Sequence, residues 1–193
     1  IELSSACNLR CTGCALADPQ FRLSRGAANI DMDRLMAWLD GHVHRIAQVR
    51  LYHMGETWLH PRWFEFCRFL KEANPALTLF TSTSGMLLNT DDKLRQVVDA
   101  GIDHVMFSVH GAFQASAEAY MGKTFRIDTA FAAARGLIKL RGAHSAKPYV
   151  SWKYLLFEWN DSDEEIAAAQ WLLDDIGCDE IHFTITSQPA PSK

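Results

Sequence analysis

The sequence predicts an α/β protein, a partial (β/α)6 TIM-like barrel with parallel strands. Three observations point there. Strand-like apolar runs alternate with amphipathic helical runs along the chain. The later strand-like runs begin near positions 49, 77, 104, 150 and 180, spacings that suit βα units. Nearly every run ends in polar residues; barrels collect chemistry at the C-terminal ends of several strands, whereas an open doubly wound sheet uses one crevice.

The elements follow in order. Residues 1–3 read as a short strand. Residues 31–39 read as a helix with Leu35, Met36 and Leu39 on one side and Gly41 as its stop, and 49–53 as a strand. Residues 62–72 carry Trp63, Phe66, Cys67 and Leu70 at i, i+3, i+4 and i+7, the stripe of a helix, with Pro61 at its first turn and Pro75 beyond its end. Strand 77–81, helix 90–100 stopped by Gly101, strand 104–109 and the Ala-rich helix 127–141 closed by Gly142 repeat the pattern. Strand 150–157 leads to helix 162–176. There Ser162 and Glu165 form a capping-box pair, Ile166, Ala169, Leu173 and Ile176 share a face, and Gly177 ends the helix. Residues 180–185 make the last of six strands. One core domain spans 1–186. Residues 187–193, with Pro189 and Pro191, read as a linker toward a C-terminal extension.

Composition narrows the class. The chain has 193 residues, 48% apolar and 22% charged, which is ordinary for one globular domain. The net charge of −4 disfavours nucleic-acid binding by phosphate neutralisation, and Lys139, Arg141, His144 and Lys147 read as a solvated basic turn. No run of apolar residues is long enough for a membrane helix. The chain opens on Ile1, not Met, and is expected to be part of a longer protein. Five cysteines, three of them within eight residues, do not form a secreted disulfide framework; a reducing, cytoplasmic setting is expected. No HExxH, GxxxxGK[ST], GxSxG or strand-linked GxGxxG segment occurs.

The chemistry concentrates in Cys7-x3-Cys11-x2-Cys14. Thiolates are soft ligands for iron–sulfur clusters or zinc. Three in one loop can hold three irons of a cubane and leave the fourth open, which suits catalysis. Gly13 relieves crowding where the backbone wraps the metal. The residues alone leave other readings open: zinc completed by His53, His60 or His110, redox thiols, or a closed cluster completed by Cys67 or Cys178. Zinc or a closed cluster would suit a non-enzymatic, metal-stabilised interaction or structural module. Cys67 lies on an apolar helix face, which favours core packing, and Cys178 is expected at the end of the barrel opposite the loop.

The cysteine spacing after an opening strand resembles the cluster motif of the radical S-adenosylmethionine superfamily. Residues 52–61, Tyr-His-Met-Gly-Glu-Thr-Trp-Leu-His-Pro, resemble that family's second motif, where Gly-Glu ends strand two. Thr83-Ser84-Gly85 resembles a Thr-Asn-Gly segment, and Ser108-Val109-His110-Gly111 a Ser-x-Asp-Gly segment with His110 in place of the acid. Thr12, Thr57 and Trp58 depart from frequent family residues. The later part of the chain resembles the SPASM-type subgroup.

The resemblance implies an enzyme with two cofactors, a [4Fe-4S] cluster and S-adenosyl-L-methionine. Cys7, Cys11 and Cys14 would hold the cluster. One electron would cleave the sulfonium, and the 5′-deoxyadenosyl radical would take a hydrogen atom from a peptide, sugar or nucleotide-linked substrate. Glu56 would accept a hydrogen bond from the cofactor ammonium, and Gly55 would let the backbone approach its methionyl part. Ser84 and Ser108 would meet the carboxylate or the ribose, Lys153 the carboxylate or a substrate anion, and Thr184 the adenine. His53, His60 and His110 lie on the expected catalytic rim. The expected partners are a small-molecule or peptide substrate and an external electron donor such as flavodoxin or ferredoxin, with no membrane or nucleic acid.

Overall fold

The computed structural model describes residues 1–142, 147–186, 190 and 192. His144 and most of the expected linker 187–193 lie outside the described residues.

Five parallel strands form one sheet in the order β1-β2-β3-β4-β5: β1 Gln48–Arg50, β2 Thr78–Thr83, β3 His104–Ser108, β4 Tyr149–Leu156 and β5 Glu180–Ile185. Seven helices are described: α1 Pro19–Arg25, α2 Met32–Leu39, α3 Trp63–Ala73, α4 Asp91–Asp99, α5 Gln114–Met121, α6 Ile127–Arg141 and α7 Asp163–Ile176. Sequential order and uniformly parallel pairing are those of a partial barrel built from βα units.

Strand alternation divides the sheet into two faces. Leu79, Val105, Phe107, Val150, Trp152 and Tyr154 are buried on the helix side, with Phe131 of α6 5.0 Å from Trp152 between ring centroids. In α3 the expected stripe is the buried one: Trp63, Phe66, Cys67 and Leu70. Each large side chain of that stripe contributes about 1.5–3 kcal/mol through burial. Ser108 and Lys153 are paired across β3 and β4, on the opposite, inner face.

The expected first strand is not a strand. Ile1 donates its amine to the Arg50 carbonyl at 2.7 Å, but the chain then turns its backbone bonds toward residues 28–30. Ile30 N donates to Leu3 O, Ser5 N to Ala28 O, and Ser4 and Asn29 form an isolated antiparallel bridge. The six-strand expectation is therefore corrected to five strands with a segment packed along β1.

The capping box is also half corrected. Ser162 accepts from the Glu165 amide at 3.2 Å. The Glu165 carboxylate does not return the bond. It is buried, with Oε1 accepting from Ala112 N at 2.7 Å, Tyr154 OH at 3.0 Å and Ser116 Oγ. Three buried donors outcompete one helix-end amide. In the expected basic turn, Arg141 is paired to Asp179 and Lys147 to Asp103.

Candidate active site

The cysteine loop is fixed from below and from the side. Gly13 takes φ +85, a region open to glycine at little cost, and Cys14 N donates back to Cys11 O at 3.0 Å. Thr12 N donates to Tyr120 O at 2.7 Å, so α5 forms the loop's lateral support. Glu56 N donates to Ala6 O at 2.8 Å and ties the loop's entry to the segment after β1. These contacts set Cys7 and Cys11 in one cleft with Gly55, Glu56, Ser82, Ser84, Ser108 and His110.

Burial pushes the Cys11 thiol up to about 12 and raises Cys7 as well; the neighbouring sulfurs and Glu56 add to both shifts. Buried, mutually repelling thiolates need a cationic partner, and metal ligation removes their protons outright. Among the described residues no three His, Cys, Asp or Glu side chains gather tightly enough for a single ion. A zinc ion needs four donors converging on one point. Each thiolate of a cubane takes its own iron, so a cluster asks for three donors in one loop rather than a single point of convergence.

Two of the three histidines raised as zinc ligands, His60 and His110, have ring nitrogens engaged by the backbone. His60 is buried, with Nε2 3.1 Å from Ile30 O and Nδ1 accepting from Arg62 N. His110 Nδ1 accepts from Leu155 N at 3.1 Å, so Nε2 carries the ring proton. Burial, then the nearby Lys153 charge, lowers His110 to about 3, and the imidazole stays neutral. His53 is exposed at the cleft edge. Cys67 is buried in the core on α3.

Glu56 is 4% exposed. Its Oε2 accepts from Thr83 Oγ1 at 3.1 Å, Ser84 N at 3.2 Å and Ser84 Oγ at 3.4 Å. Its Oε1 has no hydrogen-bond partner among the described residues, although the Trp58 amide lies near enough to favour the anion. Burial wins and raises the carboxyl to about 7 against these donors. An unpartnered buried carboxylate oxygen beside a cleft is a vacancy for a cationic donor.

The other expected residues fall as follows. A Cβ on Gly55 would lie 1.9 Å from Ser4 O, so this position needs glycine first to let the chain's own N-terminal segment pass. Ser84 bonds to Glu56 and acts through it. Ser108 Oγ lies 2.9 Å from Ser82 Oγ, a hydroxyl pair at the cleft floor that sequence reading did not anticipate. Lys153 is half-buried beside His110 and has no ion-pair partner among the described residues. Thr184 is exposed on β5, at the sheet's open edge and outside the cleft. Tyr120 of α5 also borders this region. Its ring stacks on Phe157 at 4.8 Å and meets His110 edge-on at 5.1 Å, and the weak apolar periodicity of α5 gives no sequence signal for this placement.

Comparison with known proteins places this geometry in context. Residues 1–169 match the family model described as the Radical SAM superfamily. A tungsten-containing aldehyde ferredoxin oxidoreductase cofactor-modifying protein of Pyrococcus furiosus is 30% identical over 112 residues, covering 56% of this chain and 29% of that protein. A GTP 3′,8-cyclase of Chlorobaculum tepidum is 34% identical over 109 residues, covering 56% of this chain and 31% of that protein. The chain thus spans less than a third of these curated relatives. The crystal structure of a methylornithine synthase superposes with TM-score 0.65 at 16% identity, covering 95% of this chain and 51% of that one, a likeness of fold.

Proposed function

Because the chain belongs to the Radical SAM superfamily, we propose that it is the catalytic core of a radical enzyme that binds a [4Fe-4S] cluster through Cys7, Cys11 and Cys14 and S-adenosyl-L-methionine beside it. When bound, the pair supplies reductive cleavage of the sulfonium and abstraction of a substrate hydrogen atom. The observation that carries this reading is the convergence of Cys7 and Cys11 with the unpartnered Glu56 Oε1 in one cleft.

The chain's own residues divide the work. Glu56 Oε1 would accept a hydrogen bond from the cofactor ammonium and would be held in its ionised form by that positive charge. Thr83 and Ser84 hold Oε2 and fix the carboxylate's aim. The Ser82–Ser108 hydroxyl pair offers both a donor and an acceptor to ribose or carboxylate oxygens. His110 presents a neutral Nε2–H donor, and Lys153 supplies positive charge next to it for a carboxylate. Met121 and Leu9 close the apolar side of the cleft and exclude water. Gly55 keeps the Glu56 loop seated on the N-terminal segment. Thr184, exposed on β5 outside the cleft, would meet the adenine only where the cofactor reached the sheet's open edge. The substrate is a small molecule or peptide, and the electron comes from outside the chain.

The test is anaerobic reconstitution with iron and sulfide. The protein should turn brown and hold about four irons per chain. Cys7→Ala, Cys11→Ala and Cys14→Ala should each lose the colour. A colourless protein holding one zinc would overturn the reading.

A further inference from the structure

We infer that Glu2 is a positioning residue: its carboxylate clamps the turn that carries Glu56 between the segment entering the cysteine loop and the helix leaving it. The inference rests on the function proposed above, in which Glu56 meets the cofactor.

Three consecutive amides of that turn point the same way. Met54 N and Gly55 N donate to Glu2 Oε1 at 3.0 and 2.8 Å, and Glu56 N donates to Ala6 O at 2.8 Å. In a trans peptide the carbonyl opposes the amide, so the carbonyls of His53, Met54 and Gly55 face away from residues 1–6. Those three residues line the cleft that holds Cys7 and Cys11. Gly55 already packs so tightly on Ser4 O and Ala6 O that the turn has no room to approach further.

The other carboxylate oxygen reaches across to the far end of the loop. Glu2 Oε2 is ion-paired to Arg25, the last residue of α1, and both side chains are half-buried. Only the short 3-10 turn Ala15–Ala17 and Asp18 separate Cys14 from α1. Ser5 closes the same junction: its Oγ donates to Gly26 O at 3.1 Å and accepts from Ala28 N at 2.9 Å. Glu2 thus ties together the entry of the cysteine loop, its exit and the Glu56 turn. Thr83 and Ser84 hold the Glu56 carboxylate from the sheet, and Glu2 holds the backbone from which it extends.

The clamp needs a carboxylate. Two oxygens accept from two amides and a guanidinium at once, and bonds to an ionised acceptor are the stronger kind. A glutamine has one acceptor oxygen. With that oxygen on the amides its NH2 faces Arg25, and with it on Arg25 the NH2 faces the amides. Either way one side is left donor against donor.

Two readouts test the inference. In the iron-free chain, hydrogen exchange of the amides of residues 54–56 should quicken at least about tenfold in Glu2→Ala, with α3 and β3 unchanged. In the iron-loaded chain, equilibrium binding of S-adenosyl-L-methionine should weaken at least about tenfold in Glu2→Ala and about threefold in Glu2→Gln, with iron content as in wild type. Asp103→Asn is the destabilised comparator. It loosens the Lys71 and Lys147 pairs where β3 begins, at the opposite end of the sheet from the cleft, and should bind the cofactor as wild type does. Should Glu2→Ala fail to fold, Glu2→Gln and Arg25→Gln carry both readouts, with smaller losses in the same direction. Unchanged exchange of residues 54–56 in the Glu2 variants overturns the clamp. Faster exchange with unchanged cofactor affinity overturns the positioning role, and so does an equal loss of affinity in Asp103→Asn. A wild-type chain that takes up no iron, or takes up iron and binds no S-adenosyl-L-methionine, overturns the proposed function and the positioning role with it, while the exchange rates still report on the clamp.

Discussion

Thr83 donates its hydroxyl to Glu56 Oε2 at 3.1 Å while Oε1 of the same buried carboxylate has no hydrogen-bond partner among the described residues. The sheet thereby satisfies one oxygen of the carboxylate and leaves the other without a protein donor among the described residues. Burying the ionised carboxylate costs stability, and the cost depends on pH.

The first prediction follows from that dependence. Burial lifts the folded carboxyl from 4.5 to about 7. As pH rises through 4.5 the unfolded chain loses this proton first, so the folded state loses stability up to about pH 7 and no further. In iron-free protein this one group should remove up to about 3 kcal/mol between pH 4.5 and 8. Glu56→Gln should flatten that part of the profile, as urea unfolding at the two ends would show. An identical pH slope in both proteins would contradict the burial assigned to Glu56.

Gly55 gives the second. A methyl there meets the Ser4 carbonyl at 1.9 Å, and backbone cannot yield as a flexible side chain does. Gly55→Ala should cost more than about 3 kcal/mol. Thermal unfolding would measure it, and a melting temperature near wild type would mean that residues 1–6 do not hold their place against the Glu56 loop.

Glu165 gives the third. It gathers the Ala112 amide, the Ser116 hydroxyl and the Tyr154 hydroxyl, and so locks the His110 turn between β4 and α7. Glu165→Ala leaves these donors buried without an acceptor and should cost about 3 kcal/mol. Its urea midpoint should fall clearly below that of Glu164→Ala, the exposed neighbour in the same helical turn. Equal midpoints would contradict the buried role.

These residues also show what the chain discloses before it folds. The βα spacing, the α3 stripe and the Gly177 stop were legible because they are local: each depends on residues within a few turns. The cysteine loop stood out because three cysteines fall within eight residues. Glu165 was legible as a cap but not as a buried pin, since its partners lie 49 and 53 residues away. Residues 1–3 looked like a strand, and only the antiparallel contact with 28–30 decides otherwise. α1 and α5 are short, and α5 has little apolar periodicity to reveal it. The Ser82–Ser108 pair and the engaged rings of His60 and His110 depend on register and loop packing between distant segments, which a linear reading does not contain.

The central claim is that Cys7, Cys11 and Cys14 hold the cluster that drives cleavage of S-adenosyl-L-methionine. Anaerobic incubation of the iron-loaded chain with that cofactor and dithionite, followed by quantification of 5′-deoxyadenosine, tests it most directly. Wild type should release 5′-deoxyadenosine even without substrate, and Cys11→Ala should release none. Equal release from both proteins, or none from a wild type that holds its full complement of iron, would contradict the account.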